Sequence, residues 1–150
     1  MSFATSRREF TSDALTSALA AFAASATVPA ALAQTQAAGG ASTVRQVIRQ
    51  ALPGEPEREL ILTEVTYPPG AVSAPHLHAN GVMAFVVSGA IVSRVNDTPE
   101  QTFHAGEAWW EPVGAVHRVS RNASATEPAR LLAVFVAPKG ASGAELTKPL

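Results

Sequence analysis

The segment Pro75-His76-Leu77-His78 decides how this chain folds. Two histidines at positions i and i+2 point to one side of a strand, roughly 7 Å apart, whereas on a helix they lie about 200° apart. One metal ion can therefore contact both side chains only if the segment is a strand. A third histidine, His117, follows the turn signal Pro112-Val113-Gly114 and so begins a further strand. Three imidazoles on strands predict a metal site.

Apolar segments separated by turn residues continue in both directions from these histidines. Over residues 43–138 the pattern predicts short strands, with one phase slip near Thr63, and no helical period occurs after residue 33. The nearly continuous apolar run at 82–87 is typical of a strand buried on both faces. The pattern therefore predicts one all-β sandwich or barrel. We expect residues 34–42 to be a flexible N-terminus and residues 139–150 a loosely packed tail.

Two spaced motifs in this region resemble the paired motifs of the cupin superfamily. They are Gly70-x5-His76-x-His78-x3-Val82-x6-Gly89 and Gly106-x5-Pro112-x-Gly114-x2-His117. The resemblance covers about Arg58 to Gly140. The segments 85–89 and 131–138 look like those of small single-domain bacterial cupins often described as quercetin-dioxygenase-like. It implies an all-β, single-domain jelly-roll barrel (double-stranded β-helix) in which the three histidines bind one divalent metal ion. Cupins commonly pair, so a homodimer is also expected.

The chain departs from the cupin pattern at Val82, where cupins usually carry a glutamate ligand. The site is thus expected to hold three histidines without a carboxylate, which is similar to acetylacetone (β-diketone) and thiol dioxygenases. Strand alternation places Ala84 and Val86 on the same side as Val82, so these three residues are predicted to line an apolar pocket. Such a pocket suits a small, flat, apolar or aromatic ligand better than a sugar.

Three functions from different classes remain open at this point. The first is a mononuclear metal-dependent dioxygenase for a small enolisable or phenolic compound, with Fe(II) favoured and Mn, Ni, Zn or Cu as alternatives. Three neutral imidazoles leave a divalent ion its full charge and open positions for an anionic chelating substrate. The second is a metal-dependent lyase or isomerase. The third is a non-catalytic ligand-binding cupin, in which Val82 marks a degenerate metal site.

Other polar and aromatic residues near the motifs have simpler interpretations. His104 precedes a turn at the far end of a strand and is predicted not to be a ligand. Trp109 and Trp110 are neighbours on a strand, so one faces inward and the other faces outward, where it favours pairing of two chains. Glu107 and Glu111 are expected on the solvent side, although Glu111 lies close enough to the Pro112 turn to reach the pocket as an acid or base.

Composition excludes several functions. The chain has 150 residues, 47% of them hydrophobic, and a net charge of −1, which gives no electrostatic basis for binding nucleic acid. It contains no cysteine, which excludes disulfides, thiolate ligands and a cysteine nucleophile. The sequence has neither a phosphate-binding glycine-rich loop nor a Ser/His/Asp arrangement.

Residues 1–33 resemble a cleavable export signal of the twin-arginine type. Arg7 and Arg8 form the basic pair, an apolar run follows over 14–28, and Ala31-Leu32-Ala33 is a small-x-small cleavage site. The run is too short and too often interrupted by Ser and Thr to favour a membrane anchor. We therefore expect the twin-arginine export machinery as a partner and a periplasmic or secreted location in a bacterium.

Overall fold

The computed structural model describes residues 39–150, so the predicted signal at 1–33 lies outside the described residues. This part contains strands and one single-turn helix. They are β1 (Thr43–Leu52), β2 (Glu55–Tyr67), β3 (Val72–Ser73), β4 (His76–His78), β5 (Val82–Ser88), β6 (Ala90–Val95), β7 (Gln101–His104), β8 (Ala108–Glu111), β9 (Ala115–Asn122), β10 (Ala129–Pro138), α1 (Gly143–Leu146) and β11 (Lys148–Pro149). None of the helical structure in 39–150 is long and apolar enough to cross a membrane.

The strands form two antiparallel sheets. The first has the order β1-β2-β10-β5-β8, and the second has the order β11-β4-β9-β6-β7, with β3 also paired to β9. Side chains from both sheets form one core, which includes the fully buried Ile61, Val86 and Ile91. Most neighbouring strands in the sheets are not consecutive in the sequence, as in a jelly roll, and the predicted all-β fold is confirmed.

Strand β2 alternates without interruption. Ile61, Thr63 and Tyr67 are buried, Val65 packs against the core in phase with them, and the residues that alternate with these four face away from the core. The predicted phase slip near Thr63 is therefore wrong. The irregularity lies in the neighbouring strand β1, where Val47 is an extra residue between the paired positions Gln46 and Ile48.

The outer face of the first sheet has an apolar part beside the ion pairs of Glu64 with Arg45 and Arg130. One row of paired residues crosses all five strands: Ile48, Leu62, Val134, Met83 and Trp110. Met83 is 47% and Trp110 61% exposed. In the single chain, β5 is thus buried on one face, although its sequence is typical of burial on both. The homodimer stays a prediction, for which this row is an available apolar surface.

Residues 139–150 are more ordered than the loosely packed tail that the sequence predicts. Helix α1 follows Ser142, whose backbone N–H and hydroxyl both donate to the Glu145 carboxylate. Leu146 is buried, and β11 pairs with β4, the strand that carries the first two histidines. The segment therefore forms part of the wall around the histidines.

Candidate metal centre

Two neighbouring strands bring the three histidines together. His76 and His78 lie on β4, and His117 lies on β9 directly opposite His76 in the antiparallel register. One ring nitrogen from each histidine lies within 4.8 Å of the others, so the three side chains are close enough to bind one ion. His104 is exposed on β7 and lies outside this group. We call the three residues the histidine cluster.

Backbone carbonyls fix the tautomers of the two β4 histidines. Nδ1 of His76 donates to the carbonyl oxygen of Ala74 at 2.8 Å, and Nδ1 of His78 donates to that of Leu146 at 2.9 Å. A carbonyl can only accept, so each ring has a proton on Nδ1, and in the neutral form of each ring Nε2 is the nitrogen with a free lone pair. These two Nε2 atoms are 3.1 Å apart. When both rings are neutral, their lone pairs face each other at this distance, and one cation bound to both atoms would relieve the repulsion, so the pair suits a metal ion.

Ser93 holds the third histidine. Its hydroxyl oxygen lies 2.8 Å from Nε2 of His117 and can accept that proton, which leaves the Nδ1 lone pair free. Burial lowers the pKa of His117 to about 3, and burial also lowers the pKa of His78. Both imidazoles are therefore neutral at physiological pH, which is the form that binds a metal.

Glu111 is also part of the site, contrary to its predicted place on the solvent side. Only 2% of the residue is exposed, whereas Glu107 is exposed as expected. Its Oε1 accepts a hydrogen bond of 2.9 Å from the indole N–H of Trp109 and lies 3.2 Å from Nδ1 of His117. Its Oε2 has no hydrogen-bond partner and lies 3.5 Å from Nε2 of His78. Burial raises the pKa of Glu111 to about 7.

Strand β8 explains why Glu111 faces inward. Along this strand Trp109 and Glu111 are buried, whereas Ala108 and Trp110 are exposed. The sequence shows that the two tryptophans face opposite ways but not which of them faces the core. Once Trp109 is assigned to the core, the two-residue period places Glu111 beside it. The sequence alone does not indicate which residues of this four-residue strand face the core, so it could not place Glu111.

A cavity of about 370 Å³ opens beside the histidine cluster. Val82 and Ala84 line it, as do Trp109 and Phe135. Val86 is fully buried in the core but lies outside this lining, in contrast to the prediction. The carbonyl of Val86 accepts a hydrogen bond from Gly106 at 2.9 Å, so it belongs to the end of β5 that a turn closes.

Three hydroxyl groups line another part of the same cavity. The hydroxyl oxygen of Tyr67 lies 2.7 Å from that of Ser120 and 3.0 Å from that of Ser73. The cavity therefore has a polar wall in addition to the apolar lining that the sequence predicts. We call Tyr67, Ser73 and Ser120 the hydroxyl cluster.

Comparisons with known proteins agree with this fold. Residues 63–135 match the family model for the cupin domain. Among solved structures, the TT1209 protein from Thermus thermophilus is 29% identical, with a TM-score of 0.52, and the match covers 63% of this chain and 82% of that one. No curated protein sequence matches the chain significantly. The domain match and the structural neighbours support assignment to the cupin superfamily, and the fold is the all-β cupin fold.

Two other structural neighbours are enzymes of different classes. An oxalate oxidase in complex with the substrate analogue glycolate is 20% identical with a TM-score of 0.50, and the match covers 63% of this chain and 50% of that chain. The DMSP lyase DddQ from Ruegeria pomeroyi DSS-3 is 16% identical with a TM-score of 0.54, and the match covers 67% of this chain and 49% of that chain. The chain spans about half the length of both. At these identities the likeness is one of fold.

Proposed function

We propose that this protein is a mononuclear metal-dependent dioxygenase, with Fe(II) as the favoured ion, and that it acts on a small enolisable or phenolic compound. One observation carries the proposal: three imidazoles, each fixed by an outer hydrogen bond, converge beside a largely apolar cavity of about 370 Å³. Nitrogen ligands of this kind suit divalent iron, and a cavity of this size suits a small organic molecule.

The walls of the cavity support the substrate class. Val82, Ala84 and Phe135 offer apolar surface that favours a flat carbon skeleton, whereas the hydroxyl cluster can form a few hydrogen bonds to oxygen atoms. A sugar would need partners for many more hydroxyl groups than this lining provides. An enol or phenol combines one or two oxygens with an apolar body and therefore fits both kinds of wall.

A bound Fe(II) would hold the deprotonated substrate oxygen and supply redox chemistry with dioxygen. The chain itself does the rest. Ala74, Leu146 and Ser93 fix the ring orientations of the histidines, so the open side of the site faces the cavity. The buried apolar residues exclude water from the substrate and so strengthen its electrostatic contact with the ion.

The second candidate is a metal-dependent lyase or isomerase, in which the ion only polarises a carbonyl group. The same histidines and cavity would serve it, and the structural neighbours include both an oxidase and a lyase. A non-catalytic ligand-binding protein is the third. The three differ in oxygen consumption and product formation, so one assay separates them.

The test is metal content followed by substrate turnover. Wild-type protein reconstituted anaerobically with Fe(II) is expected to retain one ion per chain after desalting, whereas the His76→Ala/His78→Ala double variant is expected to retain none. Oxygen uptake is then measured on a panel of a β-diketone, a flavonol and a thiol. We expect uptake on the diketone or the flavonol that depends on iron.

Each contrary outcome excludes a particular part of the proposal. Metal retention by the folded double variant would place the ion elsewhere. Product without oxygen uptake would favour the lyase or isomerase, and bound metal with no turnover of any panel compound would favour the ligand-binding protein. Circular dichroism of both proteins is the control that tests whether the variant is folded. It distinguishes a loss of metal binding from a loss of fold.

A further inference from the structure

We propose that Glu111 is a fourth protein ligand of the metal, and that it supplies from β8 the carboxylate that is absent at Val82. This inference rests on the proposed metal site. Its first support is the strand register, because Val82 on β5 pairs directly with Glu111 on β8. Both side chains are almost fully buried, and both line the cavity beside the histidines. A carboxylate is therefore present beside the histidines, but it projects from β8 instead of from position 82 on β5.

The second support is the position of the carboxylate oxygens. Oε2 lies 3.5 Å from Nε2 of His78, and Oε1 lies 3.2 Å from Nδ1 of His117. Two ligand atoms that each lie about 2.1 Å from one ion are separated by about 3 to 3.5 Å in tetrahedral or octahedral geometry. The glutamate therefore stands at ligand spacing from two histidines of the cluster.

The third support is an unmatched polar atom. Trp109 orients the carboxylate by donating to Oε1, but Oε2 has no hydrogen-bond partner although it is buried. A buried polar atom without a partner is costly, so native structures seldom leave one. A metal ion next to Nε2 of His78 would be within reach of this oxygen and would satisfy it.

The fourth support is charge. Among residues 39–150, Glu111 forms no ion pair with lysine or arginine, and the ionisable side chains within 4 Å of its carboxylate are the neutral His78 and His117. A buried carboxylate needs a countercharge, and a divalent ion held by these histidines would supply it. With Glu111 bound, the site carries one net positive charge instead of two. It therefore attracts a singly charged substrate oxygen less strongly than a site with histidines alone.

The experiment measures binding of Co(II), added alone, to metal-free protein. Glu111→Gln keeps the shape of the side chain and removes its charge, and we expect Co(II) affinity to fall by at least about 10-fold. The visible absorption spectrum of bound Co(II) is expected to change as well, because an oxygen ligand is lost. Glu107→Gln is the matched control, since Glu107 is an exposed glutamate that precedes the same strand. It should bind Co(II) as the wild type does.

A second variant returns the carboxylate to the other strand. Glu111→Gln/Val82→Glu is expected to recover most of the lost Co(II) affinity, because a glutamate at 82 projects into the same cavity from the paired position. In the wild type, Co(II) binding is also expected to shift a carboxylate stretching band in the infrared difference spectrum. That measurement needs no substitution at 111 and holds even if Glu111→Gln folds poorly.

The failures of the two proposals are distinguishable. A wild-type protein that binds no Co(II) would overturn the proposed metal site itself. A wild-type protein that binds Co(II), together with a Glu111→Gln variant of equal affinity and unchanged spectrum, would overturn only the role of Glu111. An infrared difference spectrum without a carboxylate band would overturn it independently.

Discussion

The histidine cluster and the hydroxyl cluster line the same cavity but differ in how their polar atoms are satisfied. In the hydroxyl cluster, Tyr67 bonds to Ser73 and Ser120, so each oxygen has a partner within the protein. In the histidine cluster, outer partners bind the Nδ1 protons of His76 and His78, and their inner nitrogens lie 3.1 Å apart, where one cation can contact both. The first cluster is complete without a ligand, whereas the second is not.

From this difference we infer that the histidine cluster binds the ion and that the hydroxyl cluster contacts the substrate. Acceptor atoms that face one another need a cation, and the unpartnered oxygen of Glu111 adds to that need. The hydroxyl cluster has three protons and uses two of them in its two internal hydrogen bonds, and the third can go to the Ser42 hydroxyl, 3.4 Å from that of Ser73, or to a substrate oxygen in the cavity. We therefore expect substitutions in the two walls to affect metal binding and substrate binding separately.

The largest expected effect is that of the ion on stability. An ion that binds only the folded state, at a free concentration about 100 times its Kd, adds about 2.7 kcal/mol. We therefore expect Co(II) to raise the Tm of the wild type by about 10 °C, and excess chelator to reverse the rise. Differential scanning fluorimetry measures both. The His76→Ala/His78→Ala variant is the control, and an equal shift in that variant would mean that the ion stabilises another part of the chain.

The next effect concerns the outer partner of His117. Ser93→Ala removes the hydroxyl that holds Nε2, so the ring can rotate and its Nδ1 is no longer oriented. We expect Co(II) affinity to fall by about 10-fold, measured by competition with a chromogenic chelator. Ser73→Ala removes a serine hydroxyl from the other wall and should leave affinity unchanged. Equal losses in both variants would contradict the separation of the two walls.

The smallest effect on the metal is expected from Tyr67→Phe. This change removes the central hydroxyl of its cluster and leaves Ser73 and Ser120 without that partner, at a cost of about 1 to 3 kcal/mol in unfolding free energy. Co(II) affinity should stay within about twofold of wild type, whereas KM for the substrate that the panel identifies should rise. Urea unfolding, metal titration and steady-state kinetics measure the three quantities. A loss of metal would show that the hydroxyl cluster supports the histidines.

The sequence predicts the histidine cluster because its signals are local. An i, i+2 pair on a strand needs only the strand period, and the turn before His117 needs only nearby residues. To predict that Glu111 faces inward, one must know which residues of β8 face the core. Two adjacent tryptophans leave this undetermined. The hydroxyl cluster joins residues 53 apart in the sequence, Tyr67 and Ser120, and Ser120 faces inward only because β9 is irregular relative to β6. No local pattern predicts such a contact.

The segment after β10 was the least predictable part of the fold. A helix of four residues has no amphipathic period to detect, and its stability comes from Ser142, Glu145 and the burial of Leu146. Strand β11 has two residues and forms only because β4 offers it an edge. Both elements depend on tertiary contacts, which composition and spacing do not reveal.

The hydrogen bond between His78 and Leu146 makes the geometry of the site depend on a segment that is synthesised near the end of the chain. These residues are 68 positions apart, and β4 gains β11 as a neighbour only through residues 148 and 149. The ribosome synthesises β4 well before residues 146–149, which contact it. The loop between these segments must therefore close before the His78 ring is fully oriented. We therefore expect capture of an ion at full affinity to be a late event in folding. On the proposed site, metal affinity would report whether the whole domain has formed, and not merely whether its three histidines are present.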